Sequence, residues 1–212
     1  MLLGGDQVES DGELMLKRFG AGALAAISLS LLTVPAHAQG TESYKLIKAI
    51  RDGDAEQVQS LLSLPSPSLL AAKDRDTGET ALHIVTNQRN LLWLKFLLSK
   101  EARLDLQDRE GNTPLGLAAQ LGWTEGAAQM LADRANVNAA NRRGETPLIL
   151  AVQKRDLAMV RLLMSNGADP KKTDNAAGLS ALDYAKRDSR ATQILKVLET
   201  PVATKAIVGP TR

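Results

Sequence analysis

The amino-acid sequence predicts an all-α fold, a solenoid of about five stacked helix-turn-helix repeats, on three observations. A glycine opens four copies of one unit at Gly78, Gly111, Gly144 and Gly178, with spacings of 33, 33 and 34 residues. A fixed period of that size means one supersecondary unit laid down repeatedly. The first three copies each carry a second apolar block at a constant offset: LLWLKFLL (91–98), TEGAAQML (124–131) and LAMVRLLM (157–164). Finally, 44% of the 212 residues are hydrophobic but only 3% are aromatic. A core of Leu, Ala, Val and Ile suits close-packed helices better than a β-sandwich, where aromatic and β-branched residues dominate.

Taken in order, the chain begins with a segment outside the repeats. Met15-Leu16-Lys17-Arg18 is a short basic stretch, followed by the apolar run AGALAAISLSLLTV (21–34) and then Ala36-His37-Ala38. That order predicts a secretory signal peptide cleaved after Ala38. The run is 14 residues long, short of the roughly 20 that a transmembrane helix needs, so an uncleaved anchor is the weaker alternative. Residues 1–14 carry Asp6, Glu9, Asp11 and Glu13, the wrong charge for a leader. Translation is therefore expected to start at Met15, unless the basic region is unusually long. Residues 1–38 hold four acids and two bases, so their removal takes the net charge from +2 to +4. With no cysteine anywhere, disulfides and thiolate chemistry are excluded although export permits them. The expected location is the periplasm, with the medium as the lesser possibility.

Residues 44–62, YKLIKAIRDGDAEQVQSLL, fit the two helices of a first repeat around Gly53. Gly53 to its counterpart Arg89 is 36 residues, so PSPSLLAA (65–72) carries a small insertion. The next three repeats share one logic. Thr80, Thr113 and Thr146, with Ser180 in the last copy, sit where a hydroxyl can cap the first helical turn. Pro114 and Pro147 follow at the first helical position, where a missing N–H costs nothing. Leu115, Leu117, Ala118 and Ala119 form a short helix with small residues where a neighbour must approach. The second block is an amphipathic helix, with Leu94, Leu97 and Leu98 at helical spacing. Gly167-Ala168-Asp169 closes it, and polar stretches such as Asn141-Arg142-Arg143 read as projecting turns. LSALDYAKRD and ATQILKVLE make a more polar last pair, which brings the array to five helix pairs over residues 39–199. Residues 200–212 lack apolar periodicity and are expected to be a disordered tail.

The copies GETALHIVT, GNTPLGLAA, GETPLILAV and GLSALDYAK resemble the ankyrin repeat, whose G-x-T-P-L-H-x-A-A signature they carry in pieces. The resemblance runs from roughly Tyr44 to Glu199. It implies a β-hairpin and two antiparallel helices per repeat, and a protein partner in place of a substrate. The chain is also similar to small exported bacterial ankyrin proteins. That implies an accessory or scaffold for a periplasmic enzyme or envelope component, with support of stress defence as one form. The alternative is an inhibitor or immunity protein that occludes a toxin or hydrolase. Four positions depart from the pattern. Glu101 and Arg134 stand where Gly167 stands, and Arg89 and Arg155 where Gly53 and Gly122 stand. Each non-glycine residue there is expected to cost about 1 kcal/mol of left-handed strain.

The residue inventory argues against an enzyme. Beyond Ala38 the one histidine is His83, so a His/Cys zinc site and a Cys–His pair are excluded. His83 lies at the family's T-P-L-H position, which implies a hydrogen bond to the neighbouring loop. Asp74 to Glu79 starts like a calcium loop, but its sixth position is Glu79 and its twelfth is Val85, where glycine and glutamate are required. No phosphate cradle or Walker lysine occurs. No catalytic residue, cofactor or metal is assigned, and a charge of +2 does not suggest nucleic acid.

In the family a partner meets the concave side, made of turn tips and exposed first-helix positions. Matching the motif places Arg75, Asp76 and Glu79 there, with Asn87 and Gln88. The next repeat contributes Arg109, Glu110, Asn112, Gln120 and Leu121, and the following one Arg142, Arg143, Glu145, Gln153 and Lys154. The last gives Asn175, Leu179, Arg187 and Asp188. Arg142, Arg143, Lys154, Arg155 and Arg187 lean basic, which suggests an acidic patch on the partner. Trp93 is expected in the core. Trp123, at a helix start, is expected half exposed and is a further contact candidate.

Overall fold

The structure, a computed structural model, describes residues 36–63 and 67–200. The leader read in residues 1–35 and the tail from residue 201 lie outside the described residues. Eleven helices follow one another among those described. They are α1 (Ala36–Asp52), α2 (Ala55–Leu61), α3 (Pro67–Leu70), α4 (Ala81–Asn87), α5 (Leu91–Ser99), α6 (Pro114–Leu121), α7 (Thr124–Ala132), α8 (Pro147–Gln153), α9 (Leu157–Ser165), α10 (Ala181–Arg187) and α11 (Thr192–Glu199). Five are first helices of repeats (α1, α4, α6, α8, α10) and pack in one row, each against the next. A second row is formed by α5, α7, α9 and α11. The core between the rows is aliphatic: Leu46, Leu82, Leu94, Leu115, Leu148, Ile149, Met159 and Leu163 are fully buried.

The caps explain why the helices start and stop where they do. Thr113 and Thr146 accept from the amides of Gly116 and Ile149 at 3.2 Å each, with proline next in line. Asp54, Asn90 and Asp156 cap the second helices in the same way. After α1, α4, α6 and α8 the chain reverses through one left-handed residue (Gly53, Arg89, Gly122 and Arg155), and the amide beyond it closes on a carbonyl near the helix end. Asp54 N–H on Ala49, Asn90 N–H on Val85 and Asp156 N–H on Ala151 lie at 2.9, 3.0 and 3.0 Å.

All four non-glycine residues expected to be strained are left-handed: Arg89 (φ 51°), Glu101 (φ 61°), Arg134 (φ 68°) and Arg155 (φ 56°). Glu101 and Arg134 are exposed. Glu101→Gly and Arg134→Gly are therefore expected to raise stability by up to about 1 kcal/mol each, since a left-handed L-residue costs roughly 1–2 kcal/mol. Urea unfolding checks this; a loss of stability in both variants would contradict it.

The projecting turns refine one expectation. They are hairpins of minimal length, each closed by a backbone bond: Asp74 N–H to Glu79, Asp108 N–H to Asn112, Asn141 N–H to Glu145 and Asp174 N–H to Leu179, at 2.7, 3.0, 3.0 and 3.0 Å, with the isolated antiparallel bridges Lys73–Thr80 and Thr173–Ser180 among the described residues. An Asp or Asn side chain organises each turn as well. Asp74 Oδ1 accepts from the Asp76 and Thr77 amides at 2.8 and 3.0 Å. Asp108, Asn141 and Asp174 repeat the pattern in the later turns. The turns then stack through backbone bonds: Arg109 N–H to Thr77, Arg142 N–H to Glu110 and Asn175 N–H to Arg143, at 3.0, 3.1 and 2.8 Å.

The aromatic residues differ from expectation as well. Trp123 is 7% exposed. It takes the cap position that Asp or Asn holds elsewhere, and its indole lies on Gly126, where a Cβ would meet ring carbon Cε3 at 2.2 Å. Trp93 is half-buried rather than in the core. It packs edge-on against Phe96 with ring centroids 5.7 Å apart.

Candidate interaction face

The stacked turns and the first-helix row make one continuous face. Its most buried chemistry sits at the junction of two repeats. His83 is fully buried. Its Nδ1 lies 3.2 Å from the Thr80 amide and 2.8 Å from the Thr80 hydroxyl, and its Nε2 lies 2.8 Å from the Asn112 carbonyl. An amide can only donate and a carbonyl can only accept, so the ring is neutral with its proton on Nε2. Burial lowers its pKa from the ordinary 6.5. Both nitrogens are engaged, which leaves neither to act as a base, and the ring ties α4 to the next turn as the family implies.

The turn carboxylates serve structure too. The Thr77 amide first, then that of Asp76 with Arg51 alongside, hold Asp74 down to about 2. Burial would raise Asp174, but the Tyr184 hydroxyl donating at 2.5 Å and the Ala177 amide outweigh it and keep the carboxyl below its usual range. Every buried side-chain polar atom among the described residues has a partner. Among them there is also no group of three His, Cys, Asp or Glu side chains placed to hold a metal. No described helix is long and apolar enough to cross a membrane.

Of the residues matched to the face, Arg75, Asp76, Arg109, Glu110, Arg142 and Arg143 stand exposed on the turn tips. Gln120, Gln153, Lys154 and Arg187 are exposed at the ends of first helices, while Leu121, Glu79 and Glu145 are half-buried. Two of the matched residues are withdrawn from the surface. Asn112 is 7% exposed, its amide group donating to Asp108 Oδ2 at 3.1 Å. Trp123 is buried on Gly126, as above, and cannot meet a partner there. The basic lean is also smaller than the sequence count suggests. Arg143 pairs with Glu145 at 2.8 Å and Arg155 with Asp188, whereas Arg142, Lys154 and Arg187 lie in no ion pair among the described residues. At the other end of the face is a residue that motif matching passed over. Tyr44, 63% exposed, borders a cleft of about 270 Å3 with Ser43, Ile47 and residues 73–76. Its signal was an aromatic residue on the polar side of α1.

The fold and this face define a helical-repeat binding array. A family model for ankyrin repeats (3 copies) matches residues 46–141, 93–174 and 124–199. The chain belongs to the ankyrin-repeat family. It is 33% identical over 141 residues to a protein of Treponema pallidum (strain Nichols) described as ankyrin repeat-containing, a match covering 66% of this chain and 46% of that one. It is 34% identical over 97 residues to "Probable E3 ubiquitin-protein ligase XBOS31" of Oryza sativa subsp. japonica, covering 46% and 22%. Human diacylglycerol kinase iota is 36% identical over 93 residues, covering 43% and 9%. The chain thus spans less than half the length of each of these relatives. An ankyrin array is in general a non-catalytic module for protein–protein interaction.

Proposed function

We propose that this chain is exported and binds another protein across its turn-and-first-helix face, as an accessory or scaffold for a periplasmic enzyme or envelope component, for instance in stress defence. One observation carries the binding face: the stacked turns present Arg142, and the neighbouring first-helix ends present Lys154 and Arg187, all three exposed and in no ion pair among the described residues. Cations so placed favour a partner with an acidic patch and act on association rate and orientation. Export rests on the leader pattern of residues 15–38. The purified protein is expected to have the mass of a chain starting at Gln39, and a mass that retains Met1 or Met15 would count against cleavage.

The test is affinity capture from periplasmic extract with the mature chain. Beside it run the triple variant Arg142→Glu/Lys154→Glu/Arg187→Glu and a control, Arg161→Glu/Lys196→Glu, on exposed second-helix positions. A partner held by the wild type and the control is expected to bind the triple variant at least about tenfold more weakly, because facing like charges costs several kcal/mol. Equal retention by all three would overturn this face as the site. Activity of the captured partner with and without the array then separates a scaffold, which leaves activity intact, from an inhibitor, which abolishes it.

A further inference from the structure

The five helix pairs are not joined equally. At the three later junctions both rows pack: α4 on α6, α6 on α8 and α8 on α10, with α5 on α7, α7 on α9 and α9 on α11 behind them. The first junction has only α1 on α4, because α2 does not pack closely on α5. In place of that second contact lies a groove of about 260 Å3, lined by Ala55 and Gln59 of α2 and by Leu92, Trp93 and Phe96 of α5. The one-turn helix α3 packs on α1 and so belongs with the first pair.

The polar ties show the same asymmetry. Between the second and third pairs, the Arg109 amide donates to the Thr77 carbonyl at 3.0 Å, and His83 Nε2 and Lys73 Nζ reach the Asn112 and Gln107 carbonyls at 2.8 and 2.5 Å. The last pair is held by the Asn175 amide on the Arg143 carbonyl at 2.8 Å, by Lys172 Nζ on the Asn138 carbonyl at 2.9 Å and by the Arg155–Asp188 ion pair. Between the first three helices and the chain from Lys73 onwards, one residue, Arg51, makes every hydrogen bond and ion pair among the described residues. Its guanidinium donates to Asp74 Oδ2 at 3.0 Å and lies 3.9 Å from the Glu79 carboxylate, and its carbonyl accepts from Gln88 Nε2 at 3.0 Å. The Arg51 side chain is 49% exposed, and ion pairs so placed hold weakly.

Each unit of a repeat array is stabilised by its own packing and by its contacts with its neighbours. A junction with one helix contact and one polar residue is therefore where the array parts first. We infer that α1, α2 and α3 open from the array as one unit, and that Arg51 is the latch that holds them closed. The cleft bordered by Tyr44 is built across this junction, with Ser43, Tyr44 and Ile47 on α1 and Lys73 to Asp76 on the turn that follows α3. Opening thus takes apart the N-terminal end of the interaction face, a consequence that rests on the face proposed above; the opening itself is read on the free protein.

The test is amide hydrogen exchange of the purified protein and two variants, with circular dichroism confirming fold. Amides of α1 and α2 are expected to share one level of protection, at least about a hundredfold below that of α6 and α8 and below that of α10 and α11. Arg51→Gln is expected to lower it by about a further fivefold and to leave α6 to α9 unchanged. Lys48→Gln is the matched control, since Lys48 pairs with Asp52 inside α1; its effect is expected to be about twofold at most. Equal protection in the first and last pairs would be ordinary fraying of chain ends and overturns the latch. So does a loss in Arg51→Gln spread evenly over all helices, or one no larger than that of Lys48→Gln.

Discussion

Gly111→Ala is expected to destabilise the array by about 3 kcal/mol or more, whereas Gly178→Ala, at the same position of the last turn, should cost only about 1 kcal/mol. Both glycines are left-handed, at φ 82° and 65°, so each substitution incurs the roughly 1–2 kcal/mol of a left-handed L-residue. The difference lies in what stands beyond. A Cβ on Gly111 would sit 2.6 Å from the Arg142 amide and 2.8 Å from its Cγ, but one on Gly178 meets nothing within 4 Å. The clash at Gly111 is with backbone that donates to the Glu110 carbonyl. The next turn must therefore move away and lose that bond, worth about 1 kcal/mol, together with the packing around it. Equal losses in urea unfolding of the two variants would contradict turn-on-turn stacking as the tie between repeats.

His83→Ala is expected to cost about 3 kcal/mol at pH 7.5, and its cost should shrink in acid. A buried side chain cut to alanine leaves a cavity, which alone is worth roughly 2–4 kcal/mol. The Thr80 amide and the Asn112 carbonyl also lose their partner. The direction with pH follows from the lowered pKa. The neutral ring contributes its full stability above the unfolded value of 6.5, and that contribution falls as pH drops through the lower folded value. The gap between wild type and variant should therefore be larger at pH 7.5 than at pH 5. A gap that widens in acid would mean that the ring is held charged, contrary to the tautomer its partners dictate.

Much of the fold was legible because the repeat reports on itself. The aligned copies located the caps, the five helix pairs and even the four strained residues, since a glycine in one copy marks the geometry that Arg89 or Glu101 must adopt in another. What the alignment concealed were local exchanges within single repeats. Trp123 was expected half exposed because it stands at a helix start; its burial depends on Gly126, which reads as a plain gap in the apolar stripe. Trp93 looked buried because its neighbours are, and nothing in its own repeat shows that α2 stops short of closing over it. Arg143 and Arg155 counted as surface charge until their carboxylate partners, one of them 33 residues away, came into contact. The turns were placed correctly, but their organisation by Asp74, Asp108, Asn141 and Asp174 was hidden. Only an Asp or Asn recurring three or four residues before each repeat glycine hinted at it.

The measurement that tests the binding face most directly is amide hydrogen exchange on the complex with a captured partner. Slowed exchange is predicted in residues 75–79, 109–112 and 142–145 and at the ends of α6, α8 and α10. Exchange in α5, α7 and α9 should stay unchanged. Protection confined to those second helices, with the turn tips exchanging as in the free chain, would place the partner on the opposite side and contradict the reading of the face.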